Sequence, residues 1–158
     1  MPQVSVHSMA GHAEWVEVCA AWWHAQWGEW MGYTPESARD AITALTLPGK
    51  QAALIALLDG IPAGSVFLID NDLESRPELT PWLAGLFVLP EARRQGVGEA
   101  LVSAVLAHAT SIGYETVFLY SAIGGFYRRL GWESRETLIL HELEHEIMSY
   151  SLPIPSRP

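Results

Sequence analysis

WLAGLFVLPEARRQGVGEALV, residues 82–102, changes character halfway along. Residues 82–89 are a continuous apolar run with no acid or base, the pattern of a central strand covered on both faces. Pro90 ends the run, because proline has no N–H to give to a sheet ladder. From Val97 the spacing turns helical: Leu101, Val105 and Ala109 share a face, and Gly113 supplies a stop. Between the two halves lies Arg93-Arg94-Gln95-Gly96-Val97-Gly98-Glu99. Its glycines leave main-chain amides bare where the helix begins. First-turn amides have no acceptor inside a helix, and the helix dipole adds partial positive charge there. Such a turn can cradle a pair of phosphates, with Arg93 and Arg94 at its mouth; the alternative is a plain helix start. Two other phosphate-binding spellings do not fit. A Walker loop requires Gly-Lys-Ser/Thr, and this stretch has no lysine. A dinucleotide fingerprint requires a small residue where Leu101 stands, and a tighter turn than Pro90–Gln95 permits.

Outward from this stretch, QVSVHS (3–8) reads as a strand, and residues 11–28 as a helix whose Trp15, Cys19, Trp22, Trp23 and Trp27 recur at three-to-four-residue steps. The spacing suits core packing. Thr34-Pro35-Glu36 starts a second helix, with a capping threonine, a proline at its first position and an acid in its first turn. QAALIALL (51–58) and AGSVFLID (63–70) form a hairpin across Asp59-Gly60. A polar loop, NDLESRPELTP (71–81), leads to the central run. TVFLYS (116–121) is a further buried strand, GGFYRRLGW (124–132) holds a short helix, and two strands end near Leu152. The order β-α-α-β-β-β-α-β-α-β-β implies one α/β (α+β) domain, a sheet with helices on both faces.

A chain of 158 residues that is 49% hydrophobic can bury a sizeable core. No apolar run is long enough to cross a bilayer, and MPQVSVHSMA lacks a basic and an apolar signal region, so neither membrane nor secretion is expected. The lone Cys19 permits no intrachain disulfide, which fits a reducing cytoplasm. The net charge of -9 argues against nucleic acid, whose phosphates demand a basic face. The eight arginines nonetheless include two adjacent pairs, Arg93-Arg94 and Arg128-Arg129, suited to a small anion or to plain solvation.

HELEH, residues 141–145, spells the zinc-protease pattern. That pattern works only on a helix, where histidines one turn apart share a face, and it needs a third ligand further on. Downstream, EIMSYSLPIPSRP offers only Glu146, too close to serve. Leu140, Leu143 and Ile147 would suit a helix, but Ile147, Ser149 and Ser151 alternate with Met148, Tyr150 and Leu152 in the period of a strand. On a strand the histidines would lie ~13 Å apart. Two histidines on a hairpin, with no metal, are therefore expected.

Arg93-Arg94-Gln95-Gly96-Val97-Gly98, after a strand ending Leu86-Phe87-Val88, resembles the acetyl-CoA motif of the GNAT superfamily of acyl-CoA N-acyltransferases. FLYSAIGGFYRRLGWE (118–133) resembles the family's second motif, at the expected distance. The likeness extends loosely over residues 5–152, and RPELTPWLAGLFVLPE (76–91) looks like one bacterial subgroup. The resemblance implies a mixed, mostly antiparallel sheet whose central strand bulges and splays into a V-shaped cleft. It implies that acetyl-CoA is the co-substrate, with its pantetheine arm along Leu86, Phe87 and Val88 and its diphosphate on amides from Arg94 to Glu99. The Leu86 amide or its neighbour would polarise the thioester carbonyl. Tyr127 matches the tyrosine that protonates the departing thiolate, or else packs beneath the sheet edge. Phe126 would contact the cofactor or the core. Family members often form dimers, so a homodimer is part of the implication.

Two departures matter. The usual asparagine after the second-motif strand is missing, so Ser121 or backbone must make any coenzyme contact there. No acid lies on strand 82–89, so the base is water, Asp70, Asp72, Glu142, His141 or His145. The acceptor pocket implied by the family would be built from Trp27, Glu29, Trp30, Met31 and Tyr33, facing Asp72 in the 71–81 loop and His141. That aromatic and acidic lining suits a small cationic amine, or a peptide amine. The expected activity is acetyl-CoA-dependent N-acetylation by direct transfer; the alternative is an acyl-CoA-binding or regulatory module without catalysis.

Overall fold

The structure is a computed structural model that describes residues 2–28 and 31–153. Seven strands form one sheet: β1 (Val4–Ser8), β2 (Ala52–Leu58), β3 (Ile61–Ile69), β4 (Trp82–Val88), β5 (Thr116–Ser121), β6 (Glu133–Leu140) and β7 (Leu143–Ser151). Their order is β1-β2-β3-β4-β5-β7-β6, antiparallel throughout except where β5 runs parallel to β4. Among the described residues four α-helices accompany it: α1 (Ala13–Trp23), α2 (Pro35–Leu45), α3 (Val97–Ile112) and α4 (Gly124–Arg129). The element order matches the one expected from hydrophobic period and turn residues.

Local chemistry accounts for most boundaries. The Thr34 hydroxyl accepts from the Ser37 amide at 3.0 Å while the Ser37 hydroxyl accepts from the Thr34 amide at 2.8 Å, a reciprocal cap on α2. Asp59 and Gly60 take φ of 52° and 82°, the left-handed pair that a two-residue hairpin needs to match the twist of its strands. One boundary differs from the sequence reading. The first helix does not remain α-helical to Gly28: residues His24–Gly28 widen into a π-helical turn. A π-turn adds only one residue to a turn, so the spacing of tryptophans cannot distinguish it from α.

Side chains alternate across the sheet. Ala52, Leu54, Val66, Leu68, Leu83, Val117, Leu119 and Met148 face α3 and join Leu101, Val105 and Ala109 in the larger core. Ala53, Ile55 and Phe67 face α1 and α2, where Val16, Cys19, Ala38 and Ile42 meet them. Further along that second face no helix covers β5 and β7 among the described residues. The 71–81 loop does so instead, packing Leu73 with Trp82 and Ile147 and tying itself to β6 by an Arg76–Glu136 ion pair. On this second face, α1 and α2 on one side and the loop on the other thus leave a seam over the middle of the sheet, at β4.

Candidate active site

The middle strand is not sealed. Although β4 is the fourth of seven strands, Ala84 through Val88 all remain partly exposed, whereas Trp82 and Leu83 are buried. Two irregularities open it. Phe67 pairs with Ala84 and Ser65 with Phe87, so two steps on β3 match three on β4, and β4 carries one extra residue. Gly85 adopts φ 63° at this bulge, and a Cβ there would come within 2.5 Å of the Phe67 ring. On its other side β4 meets β5 at a single registered pair, Trp82 with Phe118. Beyond it the strands diverge, and their main-chain groups face a slot.

At the mouth of the slot stands the turn into α3. Arg94 and Gly96 both take left-handed φ, 64° and 83°, which turns successive amides toward one side as a nest. The Ala100 amide is the first to donate within the helix, to the Gly96 carbonyl at 3.1 Å. Among the described residues, the amides of Arg94, Gln95, Gly96, Val97, Gly98 and Glu99 have no protein acceptor. Gly98 keeps the approach clear: a Cβ there would lie 3.3 Å from Phe126 and 3.8 Å from Val88. Six bare donors, a helix dipole and a cleared floor fit a diphosphate. The side chains contribute less. Val97 is buried in the core, Glu99 and Gln95 are exposed, and Arg93 turns back to donate from Nε to the Val88 carbonyl at 3.2 Å.

Tyr127, on α4, is only 6% exposed, with its ring against Phe126 and Trp132. Its hydroxyl nevertheless has no hydrogen-bond partner among the described residues and is not fully enclosed. The ring belongs to the core while the oxygen is not completely sealed from the surface. Burial pushes its pKa up to about 12, so it keeps its proton at neutral pH. Ser121 accepts a hydrogen bond from the Ile123 amide at 2.9 Å, which shapes the entry to α4. Arg128 is committed to Glu146 of β7, at 2.7 and 2.8 Å from its two carboxylate oxygens.

The opposite wall is aromatic. Phe87, just past the bulge, meets Trp22 at 5.7 Å and Trp27 at 6.5 Å between ring centroids. Trp23 lies 5.0 Å from Tyr33 and 5.8 Å from Phe67, so Tyr33 supports the wall through Trp23. Glu29 and Trp30, expected in this pocket, lie outside the described residues. Across the slot Trp82 contacts Phe118 and Tyr120. Asp72, at the start of the 71–81 loop, is partly buried; the Tyr120 phenol is pushed up to about 12 by its own burial first and by the charge of Asp72 second. Burial lifts Asp72 itself from 3.8 to about 7.

HELEH is a hairpin turn, not a helix. His141 and Glu142 have φ of 50° and 66° between Leu140 and Leu143, the last pair of β6 and β7. His141 lies exposed at the tip, while His145, further down β7, brings its ring to 6.0 Å from Tyr120. The Leu143 carbonyl accepts from His145 Nδ1 at 2.9 Å, which leaves Nε2 as the free acceptor of the neutral ring. Among the described residues no three His, Cys, Asp or Glu gather as a metal site, and no helix is long and apolar enough to cross a membrane.

The family model for the GNAT acetyltransferase domain matches residues 49–134, more than half of the 158. The chain belongs to the GNAT acetyltransferase family. That matched segment holds the bulged strand, the bare-amide turn and Tyr127, and it makes the protein an acyltransferase. No curated protein sequence matches. Solved structures carry the GNAT fold at low identity. An aminoglycoside 6'-N-acetyltransferase complexed with coenzyme A superimposes with a TM-score of 0.74 at 15% identity, over 96% of this chain and 99% of that one. A GNAT-family acetyltransferase from Streptococcus pneumoniae gives 0.75 at 15%, over 96% and 100%. A phosphinothricin acetyltransferase from Sinorhizobium meliloti, in complex with AcCoA, gives 0.73 at 17%, over 94% and 88%.

Some GNAT features here were readable in advance and some were not. Gly85, an isolated glycine in an apolar strand, is an ordinary bulge signal that sequence reasoning passed over. Trp22, Phe67 and Tyr120 enter the site only through sheet order and helix packing, for which no local signal exists.

Proposed function

We propose that this acetyltransferase carries an acetyl group from acetyl-CoA to a primary amine of a small cationic molecule, or of a peptide, in one direct step. The observation behind this is the set of six unpartnered amides, Arg94 to Glu99, at the mouth of an open slot in the central strand. Those amides would hold the diphosphate. Leu86, Phe87 and Val88 would pair with the pantetheine arm as an added strand would, and the Leu86 amide or its neighbour would polarise the thioester carbonyl. Acetyl-CoA supplies an activated acyl carbon. The amine nitrogen forms a bond to that carbon as the carbon–sulfur bond breaks, and the nitrogen sheds its surplus protons. Alignment of the two reactants in a narrow slot supplies much of the acceleration.

Tyr127 is the proposed partner of the departing sulfur. A phenol with a pKa of about 12 is fully protonated at pH 7. The conjugate thiol resembles cysteine, near pH 8.5. Tyr127 therefore stabilises the thiolate first as a hydrogen-bond donor, and the proton follows along that bond or arrives from water. The aromatic walls favour a cationic acceptor.

Calorimetry with coenzyme A, together with thiol release from acetyl-CoA in the presence of an amine panel, tests the proposal. Saturable binding and amine-dependent thiol release are expected. Folded protein without affinity for coenzyme A would overturn it. Binding without thiol release would favour the non-catalytic acyl-CoA-binding module instead.

A further inference from the structure

We propose that Asp72 receives the acceptor's ammonium and takes its proton, and that the acceptor is a monoamine carried on a flat apolar body. This rests on the transferase reading above and names its base and substrate class. Asp72 has neither a hydrogen bond nor an ion pair among the described residues, although it is partly buried. A carboxylate withdrawn from water with no partner destabilises the fold, and such groups concentrate where a ligand supplies the partner. Its position is also specific. Ile69, which ends β3, pairs with Trp82, the same residue that makes the single pair with β5. Asp72 follows three residues later and sits beside Tyr120. It therefore stands on the acceptor face, close to the point where β4 and β5 part.

The surroundings choose among amines. Trp22, Trp27 and Phe87 on one side, and Phe118 and Tyr120 on the other, are part-exposed rings suited to an ammonium's apolar body as well as its charge, with the buried Trp82 packed behind the second pair. A second positive charge is not welcome. Arg135 lies 5.8 Å from the Phe118 ring, held by Ser149 at 2.6 Å, with no carboxylate partner among the described residues. The nearby Glu136 is already neutralised by Arg76. Among the described residues, the unpaired Asp72, the flat walls and an unbalanced cation favour a monoamine over a polycation. In the reaction the ammonium gives one proton to the Asp72 carboxylate, and the freed nitrogen attacks the acetyl carbon. The remaining surplus proton leaves with the released thiol, and Asp72 returns its own to water.

The experiment is steady-state thiol release by the full chain with acetyl-CoA and four amines: 2-phenylethylamine, tryptamine, spermidine and kanamycin. Coenzyme binding is followed separately by calorimetry. The expected result is kcat/KM at least about tenfold higher for the two arylalkyl monoamines. For those substrates, Asp72→Asn should lower kcat/KM by roughly 10² to 10⁴, the range for loss of a general base, with coenzyme affinity unchanged within about twofold. Preference for spermidine or kanamycin, or an undiminished rate in Asp72→Asn, overturns the inference. Coenzyme binding without transfer to either arylalkyl amine overturns the acceptor class while the transferase reading stands. Loss of coenzyme binding by the unmodified protein overturns both.

Discussion

Asp72→Asn should make the protein more stable, and by an amount that depends on pH. The Asp72 carboxyl is raised from 3.8 to about 7 by burial, with no opposing charge to bring it down. Between those two values the folded protein holds a proton that the unfolded chain has released. Stability therefore falls as pH rises through that window and levels off above it. Asparagine cannot ionise and is spared the loss. Each pH unit of separation corresponds to about 1.4 kcal/mol, so a gap of about three units sets an upper bound of roughly 4 kcal/mol above pH 7. Asp72 is only partly buried, and solvent screening reduces this to roughly 2 kcal/mol. Urea denaturation of both proteins, at half-unit steps from pH 4 to pH 9, measures it. The difference should be near zero at the acid end, grow through pH 5 and 6, and be flat above pH 7.5. An offset independent of pH, or a variant less stable at pH 8, would refute the assignment of Asp72 as an unpaired, desolvated carboxylate.

Four further outcomes are expected. Tyr127→Phe should lower turnover by about 10- to 1,000-fold with coenzyme affinity little changed, since it removes one donor and leaves the ring in the core; thiol release and calorimetry separate the two effects. Rate should rise with pH through about 7 as Asp72 ionises, and that limb should be absent from the residual activity of Asp72→Asn. Gly85→Ala should lower Tm and activity together, because it adds strain of about 1–3 kcal/mol at a left-handed position and drives a Cβ to 2.5 Å from Phe67. Arg94→Gly should bind coenzyme A within about tenfold of the parent and gain up to about 1 kcal/mol in stability from its φ of 64°, whereas Gly98→Val, which fills the gap toward Phe126, should cost more than tenfold in affinity.

The fold was legible wherever a single segment carried the instruction. Thr34-Pro35 with Ser37, Asp59-Gly60, Pro90 and Gly113 each fix a boundary through their own backbone preferences, and each boundary stands within a residue or two of its expected place. The cradle was legible for the same reason: bare amides at a helix start are a property of one turn. The π-turn at His24–Gly28 was hidden because an extra residue in one turn barely changes hydrophobic spacing. The acceptor wall was hidden for a different reason. β7 inserts between β5 and β6, so Tyr120 gains Ile147 and His145 as neighbours from the second strand after its own. Alternation along β5 assigns Tyr120 to a face but says nothing of what that face meets. The burial of Asp72 was equally invisible, since residues 71–81 read as a polar loop until Leu73 and Leu79 are seen packed against Trp82.

HELEH illustrates the same division between local and assembled information. Its five letters satisfy a pattern whose meaning is geometric, two imidazoles on one helical face, and the chain places a two-residue reverse turn beneath the first of them. Strand register then gives the two histidines unlike surroundings: one at an exposed tip, the other beside the Tyr120 ring. The coenzyme cradle is the opposite case. As proposed, main-chain amides and a bulge would build it, and glycine at a few positions is nearly all it would ask of side chains. A site of that kind survives sequence change, which is consistent with a shared fold at 15% identity across 96% of the chain. Acceptor selectivity, on the reading proposed above, would depend instead on side chains contributed by several separate elements. The physical case for this protein's own substrate therefore rests on Asp72 and the rings around it, and not on the glycine turn common to the family.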